Sequence, residues 1–171
     1  MGRRAAIFRR GVPVIVTIDR FAPYAKRPET EAEFRRELLK DLAAAVLNRR
    51  FAIIANGPDA PIISGSGDAS DFFDVAAQAS VTLQAKESAE GWKNALRTGE
   101  NEVRRLVEHG VTAAELREQL ANFATRYRNA AEQAATRRSP ALAEAILATV
   151  QQQDVFTTPA TRYALFQKIA P

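Results

Sequence analysis

The sequence predicts an α+β fold: strand–helix–strand–strand followed by helices, giving a largely antiparallel sheet with helices packed on one face. Three observations predict it. "VPVIVTI" at 12–18 is a β-branched run of strand length. "AQASVTLQAKE" at 77–87 alternates apolar and polar residues with a period of two. Two threonines each stand three residues before a glutamate at the head of a long helical pattern, Thr30 with Glu33 and Thr112 with Glu115.

The elements follow in order. The first strand is broken by the two prolines of "FAPYAKRPE" at 21–29. Phe34, Leu38, Leu42 and Val46 then recur at helical spacing, and Leu39 and Leu47 widen the stripe. "NGPDAP" at 56–61 ends that helix through its Gly and Pro residues. "PIISGSGDAS" at 61–70 reads as a second strand, in which Gly65 and Gly67 signal a bulge or a close backbone approach. In the third strand Ala79, Val81, Leu83 and Ala85 face a core, while Ser80, Thr82, Gln84 and Lys86 face water.

The second half is helical. Residues 89–109 carry Trp92, Leu96, Val103 and Leu106 on one side. Val111 and Leu116 occupy staple positions around the Thr112 cap, and Leu120, Phe123 and Tyr127 continue the stripe. Ser139-Pro140 and Thr158-Pro159 each read as an N-cap with proline at the first helical position.

Composition excludes several function classes. The chain has 171 residues, 46% hydrophobic and 26% charged, within the range of soluble globular domains. It has no cysteine, so disulfides, iron–sulfur clusters and a thiol nucleophile are ruled out. No apolar run approaches the roughly 20 residues of a membrane span, and the arginines at 9 and 10 interrupt any signal-peptide pattern. The compartment therefore stays open, and no membrane partner is expected.

The net charge of +4 is unevenly placed. Residues 1–27 hold seven basic residues against Asp19, a balance of +6, while residues 28–171 hold 17 basic and 19 acidic, a balance of −2. This divides the chain into a basic arm with the first strand (1–27) and an α+β body (28–171). A nucleic-acid-binding domain would carry its positive stripe on the body. No nucleic-acid partner is expected on that ground. The alternative is a basic-armed helical module that meets nucleic acid, or another partner, through the arm.

His109 is the only histidine, and Glu108 precedes it. Glu-His closes the inverted zinc-peptidase signature H-x-x-E-H, but position 105 is an arginine. A zinc site of this type needs two imidazoles one helical turn apart and a third ligand. His109 instead reads as a helix end, with Gly110 in the left-handed C′ position that follows it. "GSGDAS" lacks both the P-loop lysine and the third glycine of a dinucleotide loop. Asp68, Asp71 and Asp74, beside Ser70, read as turn and cap residues and lack the order of a calcium loop.

Four stretches together resemble a known family: "LNRRFAIIA" (47–55), "APIISGSGDASDFFDVAAQASVTLQAK" (60–86), "GWKNALRTGENEVRRLVEHGVTAAELREQLANF" (91–123) and "DVFTTP" (154–159). They are similar in order and spacing to the pitrilysin/insulinase-like zinc metallopeptidases, bacterial processing-protease-like branch. The likeness is to the non-catalytic, second type of domain and runs from about Thr30 onward. It implies a truncated domain fragment whose C-terminal edge would continue in the family into further helix and strand. It also implies a non-catalytic chamber domain that packs against a catalytic domain of the same parent and helps enclose extended peptides. No catalytic or metal-binding residue is carried over to this chain and no cofactor is expected in it. Zinc is expected in the parent's catalytic domain. Relatives of this kind often act in the periplasm. Self-association through an open sheet edge is a further expectation.

Within that reading Ser64 and Ser66 are the candidate peptide contacts, and Phe72 and Phe73 the candidates for packing on a neighbouring domain. The competing reading has the serines simply lining a glycine-containing strand and the phenylalanines filling this domain's own core. The general burial of large apolar side chains favours it.

Overall fold

A computed structural model describes residues 13–72, 75–136, 138–151 and 154–170. The element order is β1 (Val14–Pro23), α1 (Glu31–Ala55), β2 (Ile62–Phe72), β3 (Ala76–Ala85), α2 (Gly91–His109), α3 (Ala113–Glu132), a short 3-10 turn (Ala134–Thr136), α4 (Ser139–Gln151) and α5 (Pro159–Ile169). This is the α+β order expected from the sequence. The chain divides into two compact units. The first holds residues up to Ala25 and Ala43–Val111; the second holds Lys26–Leu42 and Thr112–Pro171. Helix α1 contributes its second half to the first unit and its first half to the second.

The first unit is built on a three-stranded antiparallel sheet in the order β1-β3-β2. The strong alternator β3 takes the centre, where both of its edges are paired. Its inward residues Val81, Leu83 and Ala85 join Ile62 of β2, Leu47 and Phe51 of α1 and Ala95 of α2 in one buried cluster. Val14, Val16 and Ile18 of β1 pack against that cluster from the same face. Burying this many aliphatic groups, each worth about 1.5–3 kcal/mol relative to exposure, is the main force holding the unit together.

Both strands that the prolines and aspartates were expected to end run further. β1 pairs with β3 through Pro23, opposite Ala76, rather than stopping at Phe21. Pro23 sits at the strand's last position, where a missing N–H does little harm. β2 continues through Asp68 and Asp71, which face Ser80 and Ala77 as strand residues rather than as turn residues. Continuous pairing along β3 outweighs local turn preference, and β2 is an edge strand, where charge is tolerated. Asp74 lies outside the described residues, as do residues 1–12, which include Arg3, Arg4, Arg9 and Arg10 of the basic segment.

The glycines of β2 have a packing cause. The bulge falls at Ile63, between Ile62 and Ser64, and not at either glycine. A Cβ on Gly65 would stand 2.7 Å from Leu83 Cδ2 and 2.9 Å from Phe51 Cγ; one on Gly67 would stand 2.7 Å from Leu47 Cδ2. α1 therefore lies directly on the backbone of β2. α2 approaches the sheet in the same way. Its most buried positions are the small residues Gly91, Ala95 and Gly99, four apart, while Trp92 and Leu96 are only half-buried. The sequence stripe placed the large residues at the centre of this contact; Gly99 occupies it because the helix sits close to Leu83 and Ile18 of the sheet, while Gly91 packs on the Lys86 carbonyl just past β3.

The second unit is a helical layer with an aromatic centre. Tyr127 of α3 stacks on Phe166 of α5 with ring centroids 5.0 Å apart, and Phe34 of α1 lies 6.3 Å from Tyr127 in a tilted arrangement. Phe123 and Phe166 are buried there, as are Leu38 and Leu42. Leu39, expected to widen the stripe of α1, is 44% exposed. Thr112 and Glu115 form the expected reciprocal capping box, and Thr158 caps α5 with Pro159 at its first turn. Thr30 Oγ1 accepts from the Glu33 amide at 3.2 Å, while the Glu33 carboxylate is held by Arg36. That guanidinium keeps Glu33 below the usual carboxylate range. Among the described residues no helix is long and apolar enough to cross a membrane.

Candidate functional site

Within the first unit α1 and α2 pack on one face of the sheet, and the described residues leave its other face exposed. Alternation decides which residues line the uncovered face. On β2 these are Ser64, Ser66, Asp68 and Ser70; opposite them on β3 stand Gln84, Thr82, Ser80 and Gln78. β1 adds Ile15, Thr17, Asp19 and Phe21, paired with the same four β3 positions. The face is therefore dominated by hydroxyl and amide groups, which both donate and accept hydrogen bonds. Ser64 Oγ lies 3.5 Å from Gln84 Oε1, and Gln78 Nε2 donates to Asp19 Oδ1 at 2.9 Å. Ile15 and Phe21 are 54% and 56% exposed at its β1 margin.

Ser64 and Ser66 thus lie on the same exposed, polar face of β2. The sequence placed them on a strand, and the register places both on the outer face. Phe72 is the last residue of β2; its side chain and the whole of Phe73 lie outside the described residues.

The backbone at the edge of β2 adds residues the sequence reading missed. Asn48 of α1 donates from Nδ2 to the Gly67 carbonyl at 3.2 Å and accepts from the Gly67 amide at Oδ1. In an antiparallel ladder the N–H and C=O of one residue point the same way. Gly67 therefore turns both groups away from β3, and the Asn48 amide satisfies them as a neighbouring strand would.

At the far end of the unit α2 terminates at His109, with Gly110 as its cap. Gly110 has φ +69° and ψ −147°, and its amide donates to the Leu106 carbonyl. The positive φ was expected, but ψ lies near a region that essentially only glycine enters, not in the left-handed helical well. Arg50 Nη2 donates to the Gly110 carbonyl at 3.0 Å and so ties α1 to the end of α2. His109 is exposed on the helix's last turn. Among the described residues no group of three His, Cys, Asp or Glu side chains is placed to hold a metal ion.

No family model matches the sequence, and no curated protein does. Solved structures do match by fold. The first half of the periplasmic protease PqqL from Escherichia coli superposes with a TM-score of 0.76 at 17% identity, over 92% of this chain and 33% of that one. The longer PqqL structure gives a TM-score of 0.78 at 19% identity, over 92% of this chain and 18% of that one. A protein described as a predicted insulinase family protease from Yersinia pestis gives 0.73 at 16% identity, over 91% of this chain and 33% of that one. The chain therefore has the fold of insulinase-type domains, as the sequence resemblance implies. It spans a third or less of the proteins it matches.

Proposed function

We propose that this chain is a non-catalytic chamber domain of a zinc metalloendopeptidase, which packs against the catalytic domain of the same parent and helps enclose extended peptides. The observation that carries the reading is the pairing of an insulinase-type fold with a sheet that keeps one face uncovered and polar. Extended peptides bring backbone N–H and C=O groups whatever their sequence. A surface of serine, threonine and glutamine side chains offers partners to both without selecting a charge. Ser64 and Ser66 are the proposed contacts on β2, and Phe72 and Phe73, at the end of that strand, the proposed packing residues against the neighbouring domain. The zinc ion would belong to the catalytic domain and the parent would act in the periplasm, as the PqqL structures describe for that protease.

Co-expression with an H-x-x-E-H domain from the same genome tests the assignment. A stable stoichiometric complex is expected, with peptidase activity lost on chelation. Within it, Ser66→Arg is expected to raise KM for long peptides several-fold while leaving kcat close to the parent value. Failure of the two domains to associate at micromolar concentration, by sedimentation velocity, would overturn the proposal.

A further inference from the structure

The second unit holds a cavity of about 410 Å³ between α3, α4, α5 and the segment that joins the last two helices. It lies at the small end of the range of ligand pockets. Arg126 of α3 and Arg162 of α5 both line it, together with Tyr127, Ala145, Val155 and Phe156. The last two are 60% and 41% exposed and form an apolar margin among the described residues.

The two guanidiniums are held in place by their surroundings. Arg126 lies 4.1 Å from the centre of the Phe123 ring, within cation–π range. Arg162 donates from Nε to Thr157 Oγ1 at 2.9 Å, which fixes the plane of its fork. Two acids also line the cavity, Glu29 and Asp154. Lys26 pairs with Asp154 at 3.3 Å. Lys26, outside the lining, offsets Asp154, so the two arginines of the lining face one further acid, Glu29, with the Asp41 carboxylate acting on Tyr127 from outside the lining. Such a site matches one negative charge carried beside an apolar group. A carboxylate is the best fit, because it takes two parallel N–H bonds from a guanidinium.

We propose that this cavity binds a carboxylate joined to an apolar group, and specifically the C-terminal residue of a peptide. The carboxylate lies between Arg126 and Arg162, and the last side chain rests on Tyr127, Val155 and Phe156. The proposal does not depend on the chamber reading, since it concerns the helical unit and not the sheet.

The test is an amide chemical-shift titration of the 171-residue protein with N-acetyl-Ala-Leu as the free acid, the same dipeptide as its C-terminal amide, and octanoate. The acid is expected to shift resonances around the cavity and the amide to bind at least roughly tenfold more weakly, the usual scale for losing a charged hydrogen bond. Arg126→Gln and Arg162→Gln are each expected to weaken the acid about tenfold at an unchanged thermal midpoint, and Glu29→Gln to strengthen it. Octanoate binding without the dipeptide acid would overturn the peptide assignment and give the carboxylate site to a lipid source. Equal binding of acid and amide, indifference to both arginine substitutions, or no saturable shift with any carboxylate would overturn the proposal.

Discussion

The side-chain amide of Asn48 holds both backbone polar groups of Gly67, donating to its carbonyl at 3.2 Å and accepting from its N–H. β2 is an edge strand, and an unpaired edge is a template for joining another chain. One asparagine on the overlying helix occupies the middle of that edge. Gly67 is buried, so its two groups would otherwise be unsatisfied away from water. Asn48→Ala is expected to cost about 2–3 kcal/mol by urea denaturation, the scale of two lost hydrogen bonds with their buried partners left over. It is also expected to promote concentration-dependent association in sedimentation velocity. A variant that matches the parent chain in both stability and association would show that the contact is incidental.

Gly65 and Gly67 make a second, graded prediction. A methyl on Gly65 would meet two core side chains at once, Leu83 at 2.7 Å and the Phe51 ring at 2.9 Å. One on Gly67 would meet only the far end of Leu47, at 2.7 Å, which a rotamer change can relieve. Overpacking of this kind costs about 1–3 kcal/mol. Gly65→Ala is expected at the upper end and Gly67→Ala at the lower, with Ser66→Ala, on the open face between them, within about 0.5 kcal/mol of the parent. The reverse order for the two glycines would mean that α1 does not rest on β2 as described.

These residues show how far the sequence could be read. The alternation gave Val81, Leu83 and Ala85 of the central strand to the core, because a period of two leaves no other choice, whereas Ala79, expected to face the core with them, is exposed. The two glycines signalled either a bulge or a close approach, and only the position of α1 distinguishes them. Asn48 and Arg50 stand in the sequence as ordinary polar residues of a helix. Their partners, Gly67 and Gly110, are 19 and 60 residues away, and no local pattern joins them. Leu39 was assigned to the buried stripe on spacing alone and is exposed because the stripe is narrower than that spacing allows. Asp68 and Asp71 have turn preferences that β3 overrides by pairing.

Arg50 is 6% exposed and makes the second of these distant links. Besides the Gly110 carbonyl it faces Glu102 of α2, with Nη1 4.0 Å from Oε2, within ion-pair range but too long for a hydrogen bond. Arg105 Nη1 also stands 3.7 Å from Glu102 Oε1. Removing Arg50 therefore leaves the largely buried carboxylate with one countercharge and the helix end without its donor from α1. Arg50→Met is expected to destabilise by about 1.5–3 kcal/mol, the scale of a lost charged hydrogen bond. Adding Glu102→Leu is expected to recover part of that loss, since the carboxylate left with one partner goes too. If the double substitution proves no better than the single one in urea titrations, the Gly110 bond, and not the ion pair, is the larger contribution.

Tyr127 gives a prediction in pH. Burial in the aromatic centre of the second unit raises its pKa above the ordinary value of 10.0, and the neighbouring Arg126 and Arg162 guanidiniums only partly oppose this. Burial disfavours the phenolate, so the folded state holds the proton more tightly than the unfolded chain does. The resulting stability is fully present below the unfolded pKa, and it is lost as pH rises through the folded one. The chain is therefore expected to lose thermal stability above about pH 10 more steeply than a Tyr127→Phe variant, which cannot ionise there. Absorbance at about 295 nm should show a late-titrating component in the parent that is lost on substitution. If the component lost on substitution ionises below about pH 10, the guanidiniums outweigh burial, and a carboxylate bound between them would then raise the phenol's midpoint.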